Sequence, residues 1–262
     1  MRKIFFTIVF AFFSVVIYSQ SLQSSYTIMG EKITIESAIL NEDRTIHVLV
    51  PENYKGSIDS LPVIYILDAE YKFNAAIGVY SYMTYWNGVP DAILVGISNP
   101  SREARVRDYL PASYRGEADT FSSFIENELM PFIRKNYRAS GDNYIIGHSH
   151  GGIFALYSFL KNPDLFKGYI ACDPSLGGLY QIAETSIKSD YDNKIIYLYS
   201  SDVGNVDENI KQNHLNGFNR FKELLESNPI NGLELKVDHI SDDHTNSYTA
   251  GVSKGLRFLF KN

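Results

Sequence analysis

Three hydrophobic patterns alternate along this chain. Near the amino end, Lys32-Ile33-Thr34-Ile35-Glu36 and Arg44-Thr45-Ile46-His47-Val48-Leu49-Val50 alternate polar and apolar residues, which predicts two antiparallel edge strands, the second stopped by Pro51. Leu61–Leu67, Ala92–Ile97, Tyr144–Ile146, Phe166–Cys172 and Lys194–Tyr199 are instead apolar almost throughout, as strands buried on both faces must be. Leu233–Ile240 predicts a last strand. Between these runs the apolar residues recur at helical spacing, from about Asn74 to Trp86 and from Glu117 to Tyr137, where Phe121, Phe124, Ile125, Leu129 and Phe132 share a face. The same spacing predicts helices up to Leu160, from about Asp207 to Glu226, and from the His244 loop to Phe260. Arg102–Pro111 and Asp173–Gly178 read as loops. Strands alternating with helices predict an α/β chain with a mostly parallel central sheet and helices on both faces. With no repeat or linker, residues 21–262 read as one domain.

The first 20 residues read differently. Arg2 and Lys3 precede an apolar run from Ile4 to Ile17 and then Tyr18-Ser19-Gln20-Ser21, the plan of a secretory signal peptide over 1–20, with cleavage near Ser19 to Ser21. No cysteine follows that run to carry a lipid, so the expected product is periplasmic or secreted and has no stable membrane anchor. Cys172 is the single cysteine and lies in an apolar segment, where it reads as a small buried hydrophobe. A formal net charge of -6 and the lack of a Lys/Arg-rich run argue against nucleic acid as a partner.

The chemistry centres on Tyr144-Ile145-Ile146-Gly147-His148-Ser149-His150-Gly151-Gly152-Ile153-Phe154. Here a strand meets Gly-x-Ser-x-Gly and passes directly into a helix, the context that makes this motif a nucleophile elbow. Gly147 and Gly151 are expected to leave room at the turn, and the backbone N–H of His150 to point where an oxyanion would form. The alternative is a glycine-rich turn in which Ser149 merely caps the helix.

Sites in such sheets form at the carboxyl ends of the strands. Asp202 follows the seventh predicted strand and His244 the eighth, so Ser149, Asp202 and His244 stand in the chain order that an elbow-based catalytic triad requires. Serine needs an imidazole to take its proton, and the imidazole needs a carboxylate to fix its tautomer. Glu208, and Asp207 beside it, are the alternatives to Asp202, with capping of the next helix as their structural reading. His47, His214 and His239 read as structural or solvated. His148 reads as packed beneath the elbow, and the His148-x-His150 pair lacks the accompanying carboxylates of a metal site. No metal or other cofactor is implied.

Taken together, Val63–Glu70, Val95-Gly96-Ile97, Arg105–Pro111, Gly147–Gly152, His244 and Gly255–Phe260 resemble the esterase family of α/β-hydrolases that includes enterobactin-type, feruloyl and acetylxylan esterases and the mycolyltransferases. The resemblance covers nearly all of the chain after the leader. It implies an α/β-hydrolase fold and hydrolysis of a carboxylic ester through an acyl-serine, with Ser149 as nucleophile and His244 as base. It further implies an oxyanion hole made by the N–H groups of His150 and Glu70. The chain has Ala69 where the family often has glycine, which leaves Tyr71 as an alternative to Glu70, and it has Thr245 where glycine often follows the base. The family varies around the acid, so Asp202 and Glu208 both remain.

The expected partner is a small-molecule or polysaccharide-linked ester. The arginines of Arg105–Asp108 either receive an anionic or phenolic substrate or pair with nearby carboxylates to hold their loop. Two other functions fit the same residues: an acyltransferase, in which a sugar or lipid hydroxyl replaces water, and a non-catalytic binding protein on a hydrolase scaffold.

Overall fold

The computed structural model describes residues 29–202, 204, 207–227 and 230–261; the expected leader over 1–20 lies outside the described residues. Its organising element is one eight-stranded sheet in the order β1-β2-β4-β3-β5-β6-β7-β8. The strands are β1 (Glu31–Ser37), β2 (Glu42–Leu49), β3 (Leu61–Leu67), β4 (Ile93–Ile97), β5 (Ala139–His148), β6 (Gly168–Cys172), β7 (Asp190–Ser201) and β8 (Asn231–Ile240). The two alternating segments form the antiparallel edge, β1 on β2 and β2 on β4, and every other pairing is parallel. Asn41, at φ 52°, turns the chain between β1 and β2, a left-handed conformation that asparagine tolerates better than most residues.

The pleat divides the core. On one face Val63, Tyr65 and Leu67 pack with Phe121, Phe124, Phe154 and Phe221. On the other, Ile64 and Ile66 pack with Phe73, Ile77, Val252 and Leu256. Helices therefore cover both faces, as the continuously apolar strands require: α1 (Ala69–Tyr85) and α8 (Ser247–Leu259) on one side, and α3 (Ala118–Phe124), α4 (Met130–Asn136), α5 (His150–Lys161) and α7 (Glu208–Glu226) on the other. A single turn of π-helix, Ile125–Leu129, joins α3 to α4. Pro131 in the next turn has no N–H to return to the Asn127 carbonyl, which accounts for the widened ladder.

Two segments depart from expectation, and a third carried none. Arg102–Pro111 is no loop: Arg102–Tyr109 forms α2, capped by the Ser101 hydroxyl accepting from Ala104 N at 3.1 Å, with Ala104, Asp108 and Tyr109 buried. Its charge content conceals a buried face because the charges are themselves paired inside, Asp108 with Arg44 and Arg107. A short helix α6 (Leu179–Ser186) follows the 173–178 loop. Helix α1 starts at Ala69 rather than near Asn74, because Asp68 at φ 58° turns strand directly into helix.

β4 lies on one side of β3 and β5 on the other, so the strand order reverses at β3. The crevice above such a reversal is where doubly wound sheets bind ligands, and here it is framed by the carboxyl ends of β3 and β5.

Candidate active site

Backbone conformation marks the site. Asp68, Ser149 and Asp173 directly follow β3, β5 and β6, and all three adopt positive φ (58°, 57° and 44°). Such geometry costs on the order of 1–3 kcal/mol in a non-glycine residue and persists only where surrounding structure holds it. At Ser149, with ψ -118°, the N–H is held by the Cys172 carbonyl at 2.9 Å and the side chain makes no cap to α5. The capping alternative is therefore set aside, and the turn is an elbow. A Cβ on Gly147 would run into the Gly151 carbonyl, so glycine is obligatory there. Gly151 is less constrained than expected, since a Cβ would make only ordinary contacts, with Leu67 at 3.4 Å and Asp68 Oδ2 at 3.6 Å.

His244 does not meet Asp202. Its Nδ1 lies 2.6 Å from Oδ2 of Asp173, a fully buried carboxylate at the end of β6. The pleat of β7 explains the correction. Successive residues point to opposite sides of a strand, so Ser201 turns inward, its N–H 2.9 Å from Asp173 Oδ1 and its hydroxyl on Oδ2, while Asp202 turns outward. Asp202 bonds to His239 Nε2 at 2.9 Å and to the Ser241 hydroxyl at 3.0 Å, half exposed. Glu208 is exposed in the first turn of α7, and Asp207 caps that helix by accepting from Asn209 N at 2.9 Å.

Asp173 takes one more donor, His214 of α7, which the sequence reads as structural or solvated and whose Nε2 lies 2.9 Å from Oδ1. Burial alone would raise the pKa of this carboxyl, but hydrogen bonds from His214, His244 and Ser201 outweigh it and hold the group well below the usual carboxylate range. Asp173 is thus an anion at any working pH. Its signal in the sequence was its position: it follows an apolar strand as directly as Ser149 does.

His148 is packed beneath the elbow, as expected, and ties it to His244. Its Nε2 lies 2.7 Å from the His244 carbonyl, and the two rings lie 4.6 Å apart. Burial first, then the nearby Lys72 and His244, push the His148 pKa down to about 3. The neutral ring donates Nε2–H to that carbonyl.

At the end of β3, Asp68 is clamped by Arg105 through Nε at 2.6 Å and Nη2 at 2.8 Å, and the same Nη2 reaches the His148 carbonyl at 3.3 Å. Arg107 holds Asp108 at 2.7 Å and Glu42 at 2.7 Å. The arginines therefore pair with carboxylates and hold their segment. The Tyr71 N–H is taken by the Asp68 carbonyl at 3.2 Å. That of Glu70 belongs to the first turn of α1, where no residue four places back can accept it. Likewise His150 opens α5, and its N–H has no intrahelical acceptor. A cavity of about 770 Å³ opens elsewhere, between the end of α1 and the start of β4, among Tyr80, Tyr85, Val89 and Asp91.

Comparison with known proteins then bears on this geometry. The model of the family described as "Putative esterase" matches residues 37–229. The chain belongs to this family. It is 32% identical over 177 residues to the ferri-bacillibactin esterase BesA of Bacillus subtilis, covering 58% of this chain and 61% of that protein. It is 27% identical over 173 residues to the siderophore enterobactin esterase of Emericella nidulans, covering 55% of this chain and 56% of that protein. The matches thus span about three fifths of the length of these relatives. Among solved structures, an IroE-like serine hydrolase from Shewanella oneidensis superposes with a TM-score of 0.77 at 28% identity, covering 88% of this chain and 80% of that one. The fold is the α/β-hydrolase fold that the sequence predicts.

Proposed function

We propose that the protein is a serine esterase that cleaves a carboxylic ester through an acyl-Ser149 intermediate, with His244 as base and Asp173, in place of Asp202, as the carboxylate of the triad. The observation that carries this reading is the 2.6 Å bond from His244 to a buried carboxylate, joined through His148 to a strained serine elbow. With Nδ1–H committed to Asp173, His244 keeps an unprotonated Nε2. That nitrogen takes the Ser149 hydroxyl proton as Oγ attacks the ester carbonyl carbon. The N–H groups of His150 and Glu70 receive the charge that develops on the carbonyl oxygen, each worth roughly 3 kcal/mol. The imidazolium returns the proton to the departing alkoxide, the ester C–O bond breaks, and water repeats the sequence on the acyl-enzyme to release the acid.

The names of the relatives point to siderophore esters as the substrate class. With a leader over 1–20, the reaction takes place in the periplasm or outside the cell. Among the described residues no helix is long and apolar enough to cross a membrane.

The test is hydrolysis of a short-chain p-nitrophenyl ester and of a catecholate siderophore triester by wild type and Ser149→Ala, with a fluorophosphonate label on both. Turnover and labelling that disappear in Ser149→Ala are the expected result. A wild type that neither turns over nor labels favours the non-catalytic binding protein. Acyl transfer to an added sugar or lipid alcohol in preference to water would favour the acyltransferase.

A further inference from the structure

Helix α7 presents a buried stripe of His214, Gly217, Phe218, Phe221 and Leu225 to the sheet. An imidazole at the head of an apolar stripe loses its water and must find a polar partner. The partner of His214 is Oδ1 of Asp173 at 2.9 Å, and because that carboxylate is an anion, the proton of the bond sits on His214 Nε2. Two imidazoles thus share one carboxylate, His214 on Oδ1 and His244 on Oδ2, with ring centroids 6.1 Å apart and planes at 83°. Ser201 bridges both oxygens, through its N–H on Oδ1 and its hydroxyl on Oδ2. Every donor draws on the same negative charge, so each one added weakens the hold of Asp173 on the others.

We infer that His214 is a positioning residue for the base: it pins Oδ1 of Asp173 so that Oδ2 faces His244, and it withdraws charge that would otherwise make His244 more basic. The inference rests on the esterase reading above and adds to it a second, non-reacting histidine. The charged or titratable groups around His244 are Asp173 and His214 on one side, His148 on the other with Lys72 behind it, and His150 across the elbow.

The experiment follows the His244 imidazole by NMR titration alongside the pH dependence of kcat and KM, in wild type, His214→Phe, His214→Gln and Ser201→Ala. Phenylalanine fills the site without a donor, whereas glutamine can still donate an N–H to Oδ1. His214→Phe is expected to raise the pKa of His244 by roughly half a pH unit to one. At about pH 6 its kcat, normalised to its alkaline plateau, then falls roughly three- to tenfold below that of wild type, with KM unchanged. His214→Gln restores the wild-type profile. Ser201→Ala removes a different donor from the same carboxylate and moves His244 in the same direction, a result that does not depend on how well the phenylalanine variant folds. If His244 titrates as in wild type in folded His214→Phe and in Ser201→Ala, the inference is overturned. A shifted His244 in a protein without Ser149-dependent turnover would instead sink the esterase reading and leave the coupling of the three side chains standing.

Discussion

Two histidine–aspartate pairs stand at the ends of neighbouring strands, and by distance they are nearly alike: His244 on Asp173 at 2.6 Å and His239 on Asp202 at 2.9 Å. Their surroundings differ. Asp173 is fully buried and receives four hydrogen bonds, whereas Asp202 and His239 are each about half exposed and open to water. An exposed pair gains little, typically ~0–1 kcal/mol, because solvent already satisfies both ions. A buried one is held as an anion in a single orientation, which is what an imidazole base requires. The lesson is that proximity of acid to histidine does not pick out a triad; burial and the number of donors on the carboxylate do.

The comparison can be broken most directly by kinetics. Asp173→Asn should lower kcat by roughly a thousandfold or more with little change in KM, because a neutral amide neither fixes the tautomer of His244 nor stabilises its imidazolium. Steady-state rates on the p-nitrophenyl ester measure it. A loss below about tenfold would return the acid role to another carboxylate.

The next largest effect tests a second buried carboxylate. Arg105→Met leaves Asp68 desolvated without its clamp, and urea denaturation should reveal a loss of about 3–5 kcal/mol. A change within about 1 kcal/mol would class this pair with the exposed ones.

Acid should separate buried from exposed groups more gently. The unfolded chain protonates the His148 imidazole below about pH 6.5, whereas the folded chain refuses that proton down to about pH 3. Between these limits the unfolded state binds more protons, so stability falls as the pH drops, by up to ~1.4 kcal/mol per pH unit from this group. Urea midpoints at pH 7 and pH 5 should differ less in His148→Gln than in wild type. An unchanged difference would show that His148 is not the group responsible.

The smallest effect belongs to the exposed pair. Asp202→Asn should alter stability by no more than about 0.5 kcal/mol and kcat/KM by less than about twofold. Any loss approaching that of Asp173→Asn would reverse the comparison.

Much of this arrangement is legible in the sequence because it is local. Alternation marked the antiparallel edge, continuous apolar runs marked the inner strands, and a strand meeting Gly-x-Ser-x-Gly before a helix marked the elbow. The turn at Ser149 and the obligatory Gly147 depend on residues a few places apart, whereas the neutral packing of His148 needs His244 and Lys72 from far along the chain. Charge misled in Arg102–Tyr109, where paired ions bury a helical face that composition alone reads as solvated.

The acid could not be read that way. Asp173 and Asp202 both follow apolar strands, and the strand-end rule admits either. The choice was made by the pleat of β7, which turns Ser201 inward and Asp202 outward, and by helix α7, which brings His214 across to Asp173 from 41 positions away. The sequence by itself determined the fold class, the elbow that carries Ser149 and the histidine after β8, because periodicity and turn chemistry are short-range. Only the tertiary structure decided which carboxylate loses its water and gathers donors from three elements, since desolvation is a property of the packed interior and has no local signature in the chain.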